Sequence, residues 1–419
     1  MIANSIYLLI IVVSIFVETS FASNENALLL NKIKELPEVK EFEYQISIAT
    51  YEQRQTYSQW GPKVNLSSEL WKDGHPENQN AQKNTNLSIN LDLTLQNLLA
   101  GEIHRKNAQI ERARLRYLQQ LQETYFTVLS VMLRLDLFKE EANYLQNQES
   151  LAKKWQELYE QRYKSGYVDQ ISKLRWEIAY DEHKTRQVDI GISIHILESY
   201  LNSRSLREVP YEKKWGELDY IISQINQNKS SASFNVLIAE KDIEIAEQQH
   251  FAAKLALAPN LFTSLNYGKQ HDSIANLLSS KEDYLEMVFG LQWQIFESGS
   301  NYYDIKNKKL NVQQSESRSQ METQNWQNSN ERTQKSLVLL FDKLKTLESI
   351  SNSYEKIVAK QEQLFKQGKA DADQFKRDFD NFIFAKRSYL SSKRQFIEEF
   401  FNFYKLFPNL LSSTPSEPL

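Results

Sequence analysis

Three carboxylates stand beside the two glycine turns of this chain. The segments QRYKSGYVDQ and LFKQGKADAD each put an aspartate three residues after a glycine: Asp169 after Gly166, and Asp371 after Gly368. A glycine suits the left-handed residue that closes a helix, and an aspartate suits the cap of the helix that follows. Asp373 is one residue pair further on and is not needed for capping, although acids in a first helical turn are favoured by the helix dipole. Repeated around an axis, such carboxylates could form a ring that binds or selects cations.

Little else offers chemistry. The chain has no cysteine, which excludes a disulfide framework, thiolate metal ligands and a cysteine nucleophile. Six histidines are scattered, and no nucleophile elbow, phosphate loop or metal spacing is present. His250 lies in an apolar helical seam and reads as a tolerated seam residue. The paired acids Glu140-Glu141 and Glu398-Glu399 read as solvated helix faces. With a net charge of −4, no general affinity for nucleic acid is implied. No catalytic residue, metal site or cofactor is expected.

The elements that must position the glycine turns are long helices. No proline lies between Pro76 and Pro210 or between Pro259 and Pro408. Both intervals are rich in Gln, Glu, Lys and Leu, which predicts helices over about 103–165 and 301–367 that stop at Gly166 and Gly368. Seams with alternating steps of four and three run through them: Leu121, Tyr125, Val128, Met132 and Leu135 in the first, and Leu340, Leu344, Leu347, Tyr354, Val358 and Phe365 in the second. Return helices are expected over 170–201 and 372–407. The second carries an aromatic seam of Phe375, Phe379, Phe382, Tyr389, Phe396, Phe400, Phe403 and Phe407. Residues 313–336 are rich in Gln, Ser and Asn and hold few apolar anchors.

Each long helix is preceded by two alternating stretches. Leu261, Leu265 and Tyr267 oppose Phe262, Ser264 and Asn266; Leu285, Met287, Phe289, Leu291, Trp293 and Ile295 oppose Glu286, Gly290, Gln292 and Gln294. Earlier, Val64, Leu66 and Leu70 oppose Asn65, Ser67 and Glu69, and Leu87, Ile89, Leu91, Leu93 and Leu95 oppose Ser88, Asn90, Asp92, Thr94 and Gln96. Strict period two marks strands with one apolar and one polar face. Polar loops are expected over WKDGHPENQNAQKNTN and KQHDSIANLLSSKED. A helix with a coiled-coil seam precedes each strand pair: Phe42, Ile46, Ala49, Gln53, Thr56 and Trp60, then Ala239, Ile243, Ala246, His250, Ala253 and Leu257.

Pro62 and Pro259 stand 197 residues apart, and Gly101 and Gly299 198, so the chain is a duplication. The expected division is a secretory signal over 1–22, a first repeat over 23–203 with its strand pair at 62–96, a linker over 204–233, a second repeat over 234–408 with its strand pair at 259–296, and a short tail over 409–419. The signal rests on the apolar run Ile6 to Val17 and on Ser20-Phe21-Ala22 as a cleavage site, although the leading residues carry no Lys or Arg. No later stretch reads as a transmembrane helix, so entry into a membrane would be by strands.

Four strands cannot close a barrel alone, and closed transmembrane barrels start at about eight strands. Spanning strands would therefore need two or more copies of the chain. Their apolar faces, Leu87, Ile89, Leu91, Leu93, Leu261, Leu265, Leu285, Met287, Phe289, Leu291 and Trp293, would then meet lipid. Glu69, Asp92 and Glu286 would line water. Aromatics near the strand ends (Trp60, Trp71, Tyr267, Tyr284, Trp293, Phe296) favour this over a soluble sheet on a helical stalk.

The order and spacing of these elements, with APNLFTSLNYG, GLQWQIFESGS and the two glycine turns, resemble the TolC-like outer-membrane efflux proteins over nearly all of residues 24–408. The resemblance implies a mainly α fold with a small β part: duplicated long α-helical coiled-coil hairpins plus four strands per protomer, forming a trimeric β-barrel and an α-helical tunnel. It implies a homotrimer in the outer membrane of a Gram-negative bacterium, with helices extending into the periplasm. The glycine turns would lie at the periplasmic tip, where an adaptor protein docks and the pore is gated, with Asp169, Asp371 and Asp373 recurring in each of three protomers. The partners implied are the adaptor, an inner-membrane transporter reached through it, and outer-membrane lipid. The function implied is passive export, as the exit duct of a tripartite efflux pump or a type I secretion system. The first repeat departs from the family pattern, having LQNLLAG where the second has IFESG. The competing reading from residues alone is a secreted or periplasmic coiled-coil structural protein.

Overall fold

The computed structural model describes residues 24–59, 61–71, 82–94, 101–227, 232–271, 283–293, 299–366 and 372–408. The expected signal sequence, both strand-joining loops, Gly368, Asp371 and the tail fall outside them. The elements run α1 (Asn24–Lys34), α2 (Pro37–Ser58), β1 (Lys63–Trp71), β2 (Gln82–Thr94), α3 (Glu102–Lys164), α4 (Gln170–Asn202), α5 (Leu218–Gln227), α6 (Phe234–Leu255), β3 (Asn260–His271), β4 (Asp283–Gln292), α7 (Ser300–Lys366) and α8 (Ala372–Tyr404). Helix, two strands, long helix and return helix thus occur twice. A short 3-10 turn, Lys213–Gly216, precedes α5.

At about 1.5 Å per residue the 63 residues of α3 extend on the order of 95 Å. Such a helix is held by packing along its length, and the anticipated seam is buried at every position: Leu121, Tyr125, Val128, Met132 and Leu135. The aromatic seam is buried throughout, from Phe375 in α8 to Phe407, although α8 ends at Tyr404, three residues before the expected 407. The seam of α7 gains two members that the apolar pattern did not single out, Leu337 and the buried Ser351. Across the anchor-poor stretch α7 continues as a helix, and Trp326 packs on Phe403 and Phe407 with ring centroids 6.4 and 4.9 Å apart.

The chain divides into two compact units, each drawing on both repeats. Among the described residues, one takes those within 24–40, 118–234 and 325–408, and the other those within 41–117 and 235–324. In the first, the linker is built in: Leu206 and Ile221 are fully buried, Tyr211 donates to Asp136 of α3, and Asn26 of α1 donates to Glu212 at 2.6 Å. Gln122 of α3 is also fully buried. Its Nε2 donates to the carbonyls of Tyr404, Lys405 and Phe407, groups that the end of α8 would otherwise leave unpaired.

The second unit contains one antiparallel sheet in the order β1-β2-β3-β4. Its strands run past the alternating stretches. Trp71 pairs with Gln82, and Thr85 with His271, in segments expected to be loop. The reason is that the ladder is made by backbone groups, so polar side chains join it once the register is set. At the other end β4 runs to Gln292, and Ile295 lies outside the described residues.

Candidate functional site

Two groups of candidate residues emerge, one in each unit. The first is the turn between α3 and α4. Gly166 has φ of +75°, a left-handed conformation that costs glycine nothing. Its N–H donates to the Tyr163 carbonyl at 3.0 Å, and the Tyr167 N–H donates to the Arg162 carbonyl at 2.9 Å, which is the paired bonding of a Schellman turn. Asp169 then caps α4 by accepting from the Ser172 N–H at 2.8 Å. That hydrogen bonding holds its carboxyl below the usual aspartate range. Asp373 is the second residue of α8.

Behind this turn α3, α4 and α8 are pinned by an aromatic cluster of Trp155, Tyr159, Trp176, Phe375 and Phe379. Trp155 and Trp176 stack at 5.8 Å, and Phe375 lies 4.8 Å from Trp155. Lys376 covers the outer face of Trp176 at 5.4 Å. His183 continues the cluster against Phe379. Burial, with the charges of Arg186 and Lys376, lowers its pKa to about 4, so the imidazole is neutral at ordinary pH. Phe375 and Phe379 were legible as an aromatic seam. Trp155, Tyr159 and Trp176 were not singled out, although Trp155 and Tyr159 at a spacing of four carried the signal.

One acid behaves against expectation. Glu141 is buried rather than solvated, because Arg394 of α8 donates to it while lying 4.2 Å above the Phe138 ring. Its neighbour Glu140 and both Glu398 and Glu399 are exposed.

The second group is the sheet. Register puts Leu66 opposite Leu87, Val64 opposite Ile89, Leu91 opposite Leu265, and Leu93 opposite Thr263. Leu261 faces Leu291, Leu265 faces Met287, and Thr263 faces Phe289. These residues share one side of the sheet, and several side chains there are open: Val64 is 68% exposed, Leu285 72%, Phe289 70% and Leu291 62%. Ile89, Leu261, Met287 and Trp293 are exposed as well, while Leu87, Leu91 and Leu265 are half-buried. The Trp293 indole donates to the Leu257 carbonyl at 3.1 Å, tying the strand end to the end of the α6 segment.

The other side carries the polar residues. Glu286 pairs with Asn266, Asp92 with Ser264, and Glu69 with Asn84. Two glycines on this side leave room for rings: Gly268 sits under Tyr284 and Gly290 under Phe262, where a Cβ would come within 2.5 and 2.2 Å of ring atoms. Aromatic cover of a strand glycine fixes register, and these pairs were missed because each needs the cross-strand partner to be known.

Among the described residues no three His, Cys, Asp or Glu side chains gather as a metal group, and no helix is long and apolar enough to cross a membrane. Comparison with family profiles and with curated proteins finds no match. Solved structures do match. The CmeC outer membrane channel of Campylobacter jejuni superposes with a TM-score of 0.72 at 13% identity, over 94% of this chain and 87% of that one. This chain has an outer-membrane channel fold. The outer membrane protein VceC of Vibrio cholerae gives a TM-score of 0.68 at 12% identity, over 90% of this chain and 95% of its own. The open-state MtrE channel of Neisseria gonorrhoeae gives 0.67 at 14%, over 92% and 89%. The expected fold class is therefore the observed one at the level of the protomer. The turn with its aromatic cluster belongs to one unit and the two-faced sheet to the other.

Proposed function

We propose that the chain is the exit duct of an export assembly in a Gram-negative outer membrane, working as a homotrimer without catalysis of its own. The observation that carries this reading is a sheet with one largely apolar face, much of it exposed, one mainly polar face and two outer edges. In water each large apolar side chain left exposed forgoes about 1.5–3 kcal/mol. In hydrocarbon the same face is favoured, but every unpaired backbone group on an edge costs several kcal/mol. Joining the outer edges of β1 and β4 between copies meets both demands. Three copies contribute four strands each, above the minimum of about eight for a closed barrel.

On this reading Leu87, Ile89, Leu91, Leu93, Leu261, Leu265, Leu285, Met287, Phe289, Leu291 and Trp293 meet lipid, while Glu69, Asp92 and Glu286 line the water-filled lumen. Helical faces support the same assembly. Ile171, Leu174, Ile178, Val188, Ile192 and Ile196 form an exposed row on α4, and α7 exposes Leu310, Met321, Val338, Leu339, Ile350 and Ile357. Neighbouring copies would cover them. The turns around Gly166, Asp169, Gly368, Asp371 and Asp373 form the periplasmic tip, where an adaptor docks and couples the duct to an inner-membrane transporter. Likeness in fold to channels such as CmeC and MtrE supports export across the outer membrane in this role.

The topology is tested by placing a short epitope near Asn80 or Asn276, in the segments that join the strands. Antibody should label intact cells. Labelling that requires permeabilised cells would reverse the orientation and overturn the reading.

A further inference from the structure

The sheet-containing unit holds a second, unassigned feature: a groove of about 350 Å³ among α3, α6 and α7. Its floor is Ile245 and Ala246 of α6, both buried. Three guanidinium groups line it, Arg112 and Arg116 one turn apart on α3, and Arg318 on α7. A single carboxylate answers them. Asp242 accepts from Arg112 Nε at 3.2 Å. Arg116 and Arg318 have no ion pair or hydrogen bond among the described residues, so the groove carries two positive charges in excess. Burial and the nearby Arg112, with a smaller contribution from Arg318, push the Arg116 guanidinium below its usual range, against the pull of Asp242.

Ordinary solvated arginines on neighbouring helices diverge, since like charges at this spacing repel. Here three converge over an apolar floor with one counter-charge, and the side-chain amide of Gln314 and the hydroxyl of Ser315 add further polar groups to the rim. The guanidinium fork is shaped for two-point contact with phosphate or carboxylate oxygens. We propose that Arg112, Arg116 and Arg318 form a binding site for a phosphate-type oxyanion borne by a solute. The position argues for a solute rather than a lipid headgroup. Arg112 and Arg116 lie ten and fourteen residues into α3, on the order of 15–20 Å along the helix from its strand end. The choice of a solute over a lipid headgroup rests on the reading that the strands enter the membrane; the oxyanion site itself concerns one protomer's groove and can be tested on purified protein.

The probe is inorganic pyrophosphate, titrated calorimetrically into the full-length protein in lipid-free detergent at low salt. The wild type is expected to give saturable binding that weakens as salt rises. Combined Arg116→Gln and Arg318→Gln substitution should weaken it by about tenfold or more. Without pyrophosphate the double variant should melt no lower than the wild type, because neither arginine it loses makes an ion pair or hydrogen bond among the described residues. Absence of saturable binding in the wild type, as would follow if a neighbouring copy's carboxylates fill the groove, overturns the proposal. So does equal affinity in the double variant. A second arm offers phosphatidylglycerol vesicles in place of pyrophosphate. Binding to these alone, lost in the double variant, would assign the site to membrane phosphate and overturn its solute form.

Discussion

A proton on His183 would join the charges of Arg186, Lys376 and Arg387, with Asp380 as the acid that opposes them. Because folding lowers this pKa from 6.5 to about 4, the unfolded chain binds the proton more readily than the folded one. The contribution of neutral His183 to stability is therefore fully present above about pH 6.5 and is lost as pH falls through about 4. Thermal melts of the wild type should drop across that window more steeply than those of His183→Gln, whereas parallel curves would contradict the assignment. At the same scale, Asp373 stands beside the turn proposed as the tip and is not needed for the cap at Asp169 or for the one expected at Asp371. Asp373→Asn is expected to leave oligomer stability unchanged and to reduce cation selectivity in planar bilayers; unchanged selectivity would restrict the residue to the start of α8. The cap at Asp169 was legible because glycine, spacing and acid all lie within four residues. The burial of Glu141 was not, since Arg394 comes to it from 253 residues away.

The long helices were readable almost to the residue, because their boundaries are local. Proline is absent inside, a glycine stands at each observed or expected break, and the seam repeats in steps of three and four. The strands were readable in type and face but not in length, since pairing continues through polar residues that show no alternation. What the pattern did not reveal is how three helices are locked together behind the turn. Trp176 supplies the answer: it is buried against Trp155, Tyr159, Phe375 and Phe379, which come from both repeats. Removing it should leave a large cavity. Trp176→Ala is expected to cost about 3–5 kcal/mol and to loosen the first turns of α4 and α8 before the sheet. Hydrogen exchange resolved by segment checks this; uniform loss of protection, or none, would contradict the role given to the cluster.

For the molecule as a whole, duplication is the decisive feature, and it was visible in the 197-residue offset. It supplies two strand pairs, and the structure joins them through β2 and β3 into one sheet with ten paired positions between them. One protomer therefore ends with two free edges and an exposed apolar face, a condition that neither water nor lipid tolerates alone. Closure by identical copies is the central claim, and native mass spectrometry from mild detergent tests it most directly. The predicted result is a single species of three chains that retains its β signal by circular dichroism. A stable monomer with that β signal intact would contradict the account.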